Sequence, residues 1–303
     1  MAVKVGVIGV GYLGQHHARI YTEIEGAELV GVADICREQA ETIAAKYHCE
    51  AMYDYRDMLG IVDALSIVTP TTSHYPIALD CLKAGKDILI EKPITVTVKE
   101  ADHLIRESDL NGSIIQVGHL ERYNPAILAA ADMIQKPVFI ESERLSPFLG
   151  RGTDVDVTLD LMIHDIDIML SLIGKPVREI RAVGAKVLSD KLDVAKAWIE
   201  FADGCAALAT VSRLAPEKQR RLKVSQKDSY IIIDYQSLEI KRYMKNEKGI
   251  NVEIVKPEKK EPLKEELKDF IQCVRERKRP RVSAADGRNA LKVVMEITEK
   301  IKI

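Results

Sequence analysis

Apolar residues run almost unbroken through VKVGVI, ELVGVA, ALSIV, DILI and SIIQV, whereas between these runs they recur every three to four positions. The first pattern fits strands buried on both faces, and the second fits helices that cover them. In order, helices are expected over Gln15–Thr22, Glu38–Tyr47, Ser73–Ala84 and Val98–Leu110, set between the strands ELVGVAD, EAMY, ALSIVTP, DILIEKP and SIIQVGH. Such alternation predicts a parallel, doubly wound α/β sheet, whose ligands sit beyond the carboxyl ends of the strands. Three strand ends are thereby singled out: Thr69-Pro70, Glu91-Lys92-Pro93 and Gly118-His119.

Past Tyr123 the pattern changes. A long apolar helix is expected from about Val155 to Ile173, followed by the short strands REIRAVGAKVL, KAWIEFAD, CAALATVSRL, RRLKVSQ, SYIIIDY and SLEIKRY. Turn signals such as Ala202-Asp203-Gly204 between them point to an open, mostly antiparallel sheet with one face free to meet another subunit. The tail reads as a helical PLKEELKDFIQCVRERKRP segment and a last helix over Ala284–Lys300. A chain of 303 residues also exceeds what one core usually holds. The expected organisation is therefore a doubly wound α/β domain over 1–121 and a second α+β domain over 122–303.

The first strand runs into Gly9, Gly11 and Gly14, with Tyr12 and Leu13 inside the motif, and a helix follows. A strand, a G-x-G-x-x-G turn and a helix in that order form a pyrophosphate cradle at a helix N-terminus. Asp34 ends the second strand 20 residues after Gly14, where a carboxylate can accept from an adenosine ribose. Its charge disfavours a 2′-phosphate, so NAD is expected ahead of NADP; Arg37 stands close enough to stack on adenine or meet a phosphate.

Bulk composition narrows the picture further. The net charge of −2 gives no general pull toward nucleic acid or an anionic membrane, so an anionic ligand would need local arginines. The basic cluster Arg275 to Arg281 lacks interleaved aromatics and reads as a solvated helix end. No apolar run approaches the ~20 residues of a membrane span, and a cytoplasmic location is expected. Cys36, Cys49, Cys81, Cys205 and Cys273 are scattered and never form C-x-x-C, which suits reduced thiols in packing roles rather than disulfides or a metal site.

Two places offer proton chemistry. Within the apolar segment Asp156–Ser171, the spacing of Asp160, His164 and Asp167 puts them on one helical face. Three readings stay open: a structural His–Asp pair, a metal site, and a histidine oriented by a carboxylate to move a proton near neutral pH. Lys92, fixed between Glu91 and Pro93 at a central strand end, is the second candidate. The positive nicotinamide of an oxidised cofactor would favour its loss and return of a proton.

Together GVIGVGYLG, EKP at 91–93, GHLERYNP at 118–125 and DLMIHDID at 160–167 resemble the glucose-fructose oxidoreductase and inositol dehydrogenase family, Gfo/Idh/MocA, over essentially the whole chain. The resemblance implies NAD(P)-dependent redox chemistry on a sugar or cyclitol hydroxyl. It also implies Lys92, Asp160 and His164 as the catalytic set, and Thr69, Pro70, His74, Glu91 and His119 beside the cofactor. It further implies a last helix packed back on the Rossmann domain, and dimers or tetramers joined through sheet faces. Leu161, Met162 and Ile163 stand where many relatives carry a small residue, which would narrow the pocket. Ahead of the long helix, Arg144, Ser146, Phe148 and Arg151, with Arg213, Lys218 and Arg221 beyond it, fit a phosphorylated or nucleotide-linked sugar, with surface salt bridges as the alternative. That combination is similar to the branch of the family that oxidises the 3-hydroxyl of UDP-N-acetylglucosamine. A free polyol or sugar as substrate, and a non-catalytic dinucleotide-binding regulator, are the competing expectations.

Overall fold

The structure, a computed structural model, describes residues 2–148, 155–247 and 249–302. The chain forms two compact units, one made of Met1–Leu120 with Glu261–Arg288 and the other of Glu121–Lys260 with Asn289–Ile303.

In the first unit the apolar runs become β1 (Val3–Ile8), β2 (Ala27–Ala33), β3 (Glu50–Met52), β4 (Ala64–Ile67), β5 (Asp87–Glu91) and β6 (Ile115–Gly118). They pair in parallel in the order β3-β2-β1-β4-β5-β6, so the order reverses between β1 and β4. Helices α1 (Gly14–Glu23), α2 (Arg37–Tyr47), α3 (Thr71–Lys83) and α4 (Val98–Asn111) make the crossovers. Local chemistry sets their ends. On α4, Thr97 accepts from the Glu100 backbone N–H while the Glu100 carboxylate accepts from the Thr97 N–H, and Gly112 ends the helix in the left-handed region at φ 65°. By contrast α1 carries no side-chain cap and no acidic residue in its first turn, leaving its N-terminus to attract an anion.

The second unit follows with α5 (Pro125–Ala131), β7 (Pro137–Leu145), a π-turn over Thr158–Met162 and α6 (Ile163–Ile173). Strands β8 (Val177–Ala185), β9 (Val194–Phe201), β10 (Ala206–Ser212), β11 (Gln219–Gln226), β12 (Ser229–Asp234), β13 (Glu239–Asn246) and β14 (Gly249–Val255) complete it. Its eight-stranded sheet runs β14-β13-β12-β11-β7-β10-β9-β8 and is antiparallel except where β7 pairs with β10. One face packs on α5 and α6 through Ile140, Val211, Leu222, Val224, Ile163 and Ile166.

The tail is divided between the two units. It is α7 (Pro262–Glu276) that gives its whole apolar face, Leu263, Leu267, Phe270, Ile271 and Val274, to the core of the first unit. The last helix, α8 (Ala284–Lys300), is shared: the stretch through Arg288 belongs to the first unit, where Gly287 sits against Val117, while Ala290, Val293, Val294 and Ile297 belong to the core of the second. The reason lies in its sequence, which has small residues at its start and branched ones after it.

Candidate active site

The glycine motif works as three separate steric devices. Gly9 holds φ +83° and lies so near β4 that a Cβ would come 2.7 Å from the Val68 carbonyl oxygen. A Cβ on Gly14 would fall 1.9 Å from the Gly9 carbonyl oxygen, so only glycine lets α1 start this close to the turn. Around Gly11 a Cβ would meet nothing within 4 Å, which is the open approach that a pyrophosphate needs. The turn is held from outside: Asp34 accepts the Val10 N–H on Oδ2 and the Cys36 N–H on Oδ1, each at 2.9 Å, and Gln39 Nε2 donates to the Val10 carbonyl at 2.7 Å. Each Asp34 oxygen keeps a further lone pair for a ribose hydroxyl. These features fit NAD; when bound, it supplies the hydride acceptor.

A cavity of about 630 Å³ opens beside this turn, lined by Gly9, Gly11, Asp34, Thr69 and Pro70 among the expected residues. Tyr53, Asp54, Tyr55 and Arg56 also line it, and sequence reasoning missed them. Tyr55 and Arg56 sit on a 3₁₀ turn (Tyr55–Met58) whose cap is Asp54, accepting the Arg56 N–H, and Tyr53 precedes it; an Asp two residues before a basic residue after a short strand was the available signal. Arg37, expected beside the cofactor, does not line the cavity but lies over the ring of Tyr53, which does, at 4.3 Å. Tyr12 is exposed and meets His16 edge-on, and Leu13 is the first cap residue of α1. Cys36, read from the sequence as a packing residue, is instead exposed and lines the cavity, because its backbone N–H is fixed by Asp34 at the strand end.

Behind Thr69 and Pro70 the nearly buried His74 ring places Nε2 at 2.8 Å from the Thr69 carbonyl and Nδ1 at 2.9 Å from that of Pro93. Burial pushes its pKa down, against the pull of the two carbonyls. One ring therefore ties the loop after β4 to the loop after β5, where Lys92 stands. His119 is buried at the end of β6, its backbone N–H donating to Val117.

In the second unit, Asp160 lies in the π-turn and His164 in the first turn of α6; the turn closes with the Ile163 N–H on the Thr158 carbonyl. This wide turn inserts a residue, shifting Asp160 by about 100° from its place on an uninterrupted helix. Asp167, the third member of the expected stripe, is buried and 3.5 Å from Arg122. Asp156 accepts the Leu192 N–H at 2.8 Å, and the Ser171 hydroxyl donates to the Ile168 carbonyl, so both serve local structure. Among the described residues no group of three or more His, Cys, Asp or Glu is placed to hold a metal ion.

Two of the expected substrate arginines are corrected by the structure. Arg144 is 1 % exposed; its Nε and Nη2 donate to Asp165 at 2.8 and 3.1 Å and its Nη1 to Glu121 at 2.9 Å. Three of the five guanidinium N–H donors are thus spent on carboxylates inside the unit, and its burial keeps the rest from a diphosphate. Arg213 is likewise buried, giving Nη2 to the carbonyls of Val155 and Leu192, with Nε 3.6 Å from Asp193. Ser146 extends the β7 pairing through its backbone, and Phe148 is exposed. Arg151 lies outside the described residues. Arg220, which the sequence reading passed over, shares Glu121 at 3.1 Å. It depresses the pKa of exposed Lys218 beside it, as like charges do, with burial adding to the effect. Arg221 pairs with Asp234 at 3.1 Å. In the basic cluster, Arg277 is paired with Asp87 and Arg279 with Asp286, in keeping with a helix end.

A doubly wound sheet with a glycine cradle, an acidic strand end and an open cavity beside them defines a dinucleotide-binding oxidoreductase. Residues 3–119 match the model of the oxidoreductase family with an NAD-binding Rossmann fold, and residues 139–231 that of the GFO/IDH/MocA C-terminal domain. The chain belongs to the GFO/IDH/MocA oxidoreductase family, and NAD is its cofactor. It is 35% identical to UDP-N-acetylglucosamine 3-dehydrogenase of Acidithiobacillus ferrooxidans, over 97% of this chain and 96% of that one. The solved structure of that enzyme superposes with a TM-score of 0.95 over 99% of this chain and 98% of its own. The NAD(+)-dependent scyllo-inositol 2-dehydrogenase of Bacillus subtilis is 30% identical, over 99% of this chain and 94% of that one.

Proposed function

We propose that this enzyme oxidises the 3-hydroxyl of UDP-N-acetylglucosamine, or of a close nucleotide sugar, to a 3-keto sugar with reduction of NAD. The observation that carries the reading is the end-to-end similarity to an enzyme of that name, at 35% identity over 97% of the chain. Lys92 and His164 are the groups assigned to hold and move the hydroxyl proton, with Asp160 orienting them; Lys92 follows Glu91, the last residue of β5. Gly9, Gly11 and Gly14 hold the pyrophosphate, Asp34 the ribose, and Thr69, Pro70, His74 and His119 shape the nicotinamide side. Arg220 and Lys218 take over the diphosphate-binding role that Arg144 and Arg213 cannot fill. Self-association through the open sheet, as a homodimer or homotetramer, belongs to the same reading, and dependence on NAD favours the cytoplasm. No helix among the described residues is long and apolar enough to cross a membrane.

A second reading, oxidation of a free cyclitol or polyol, is favoured by the burial of Arg144 and Arg213 and by the similarity to scyllo-inositol 2-dehydrogenase. NADH absorbance with UDP-N-acetylglucosamine and with scyllo-inositol, each across a salt series, separates the two. Turnover of the nucleotide sugar that weakens with salt supports the first reading. Turnover of the inositol alone overturns it.

A further inference from the structure

Beneath the loop that carries Lys92, the first unit buries a line of polar groups that the reaction as described does not use. His17, one turn beyond Gly14 on α1, is fully buried. Its Nδ1 lies 3.2 Å from Ser66 Oγ on β4, and that hydroxyl lies 2.7 Å from Tyr21 OH. Its Nε2 lies 3.3 Å from Glu91 Oε1, at ion-pair distance without hydrogen-bond alignment. The other Glu91 oxygen accepts the backbone N–H of Lys92 at 3.2 Å. Opposite the histidine, Gly118 leaves the space: a Cβ there would come 2.8 Å from Glu91 Cδ and from both carboxylate oxygens. The carboxylate therefore lies against both an imidazole and a bare backbone, and it accepts from the peptide of the residue beside it.

Burying an imidazole costs free energy that an apolar side chain of similar size would not, so a ring kept here must repay it through its contacts. Those shown are the Ser66 hydroxyl and the Glu91 carboxylate. We infer that His17 is a positioning residue for Lys92: it steadies the Glu91 carboxylate, which fixes the Lys92 backbone and so the direction of the lysine. The helix whose N-terminus closes the glycine cradle thereby also sets the strand end that carries Lys92. The inference rests on the assignment of Lys92 above. Misplacing a reacting group by about 1 Å costs on the order of 100-fold in rate, so a modest loosening is measurable.

The test uses two variants of the full chain. His17→Gln keeps an amide donor near the reach of Nε2, and His17→Asn keeps one near Nδ1 while leaving Glu91 without its neighbour. Measured are kcat, KM, NAD affinity and, by peptide-resolved mass spectrometry, hydrogen exchange at the Lys92 amide. H17N is expected to lose tenfold or more in kcat and to exchange the Lys92 amide at least tenfold faster, with NAD affinity within threefold of wild type. H17Q is expected to recover most of both. A kcat within twofold of wild type in H17N, or equal losses in the two variants, overturns the inference and leaves the ring a packing residue. If neither folds, Glu91→Gln replaces them: the same two losses with NAD affinity retained support the inference, and unchanged kcat and exchange overturn it. Should wild type prove inactive on every sugar offered, the assignment of Lys92 fails, and the exchange rates alone decide whether His17 holds the Lys92 peptide.

Discussion

Replacing Arg144 by Met removes the hub of a buried charge cluster and leaves its two carboxylates behind. Asp165 loses two hydrogen bonds and Glu121 one, in a place where Arg144 and Asp165 are each 1 % exposed. Breaking a buried pair from one side typically costs about 3–5 kcal/mol, most of it the desolvated charge that remains. Part of this cost is recoverable by protonation. Burial raises the Asp165 pKa, and the Arg144 charge is the main influence holding it down, so the variant raises it further. A carboxyl with a raised folded pKa favours the fold below its unfolded value, near 4, and loses that contribution as pH climbs through the folded pKa. The deficit of R144M should therefore be largest at pH 8 and shrink toward pH 5. Trp198 is the single tryptophan of the chain and sits on β9, so its fluorescence follows unfolding of the second unit. At about 2–4 °C per kcal/mol, the expected fall in melting temperature at pH 8 is roughly 10 °C. Pairing R144M with Asp165→Leu should restore more than half of it. A fall under about 2 °C, or no restoration in the double variant, would refute the view that Arg144 is a structural clamp and return it to ligand binding.

Lys92→Ala and His164→Ala should each cut turnover by about 10²–10⁴-fold while NAD affinity, read by fluorescence titration, stays within threefold; near wild-type rates in both would remove them from the proton path. Gly11→Leu should fold normally, since a Cβ there touches nothing, but weaken NAD at least tenfold in the same titration. Gly14→Ala should instead destabilise the first unit, because its Cβ would lie 1.9 Å from the Gly9 oxygen; thermal melts followed by circular dichroism separate the two outcomes. Asp193 is held by the N–H groups of Val187, Leu188 and Ser189 and the Ser189 hydroxyl, which outweigh burial and bring its pKa down to about 2. Its support is present above pH 4 and is lost as pH falls toward 2, so Asp193→Asn should lower stability by roughly 1–2 kcal/mol at neutral pH and by little at pH 2, measured in urea titrations.

The Rossmann half was legible because each level agreed: unbroken apolar strands, periodic helices, and glycines where the chain must turn or let a ligand near. The second half was less so. Strand β7 escaped because its buried face, Ile140, Ser142 and Arg144, does not alternate in polarity as a half-buried strand should. That same arginine read as a ligand group because its partners, Asp165 and Glu121, stand 21 and 23 residues away and only the fold joins them. The π-turn at Thr158–Met162 contains neither glycine nor proline to mark it, so Asp160 and His164 were placed on one regular helix. His17 was hidden for a related reason: on α1 it is one polar residue among several, and its meaning depends on Glu91 arriving beside it from another strand.

The most direct measurement follows the hydride itself. UDP-N-acetylglucosamine carrying deuterium at C3 of the sugar is incubated with the enzyme and NAD, and the reduced cofactor is weighed by mass spectrometry. The account predicts reduced cofactor one mass unit heavier, formed together with a 3-keto sugar. Reduced cofactor of ordinary mass, or none from the nucleotide sugar while scyllo-inositol yields it, would contradict the proposed substrate and site of oxidation.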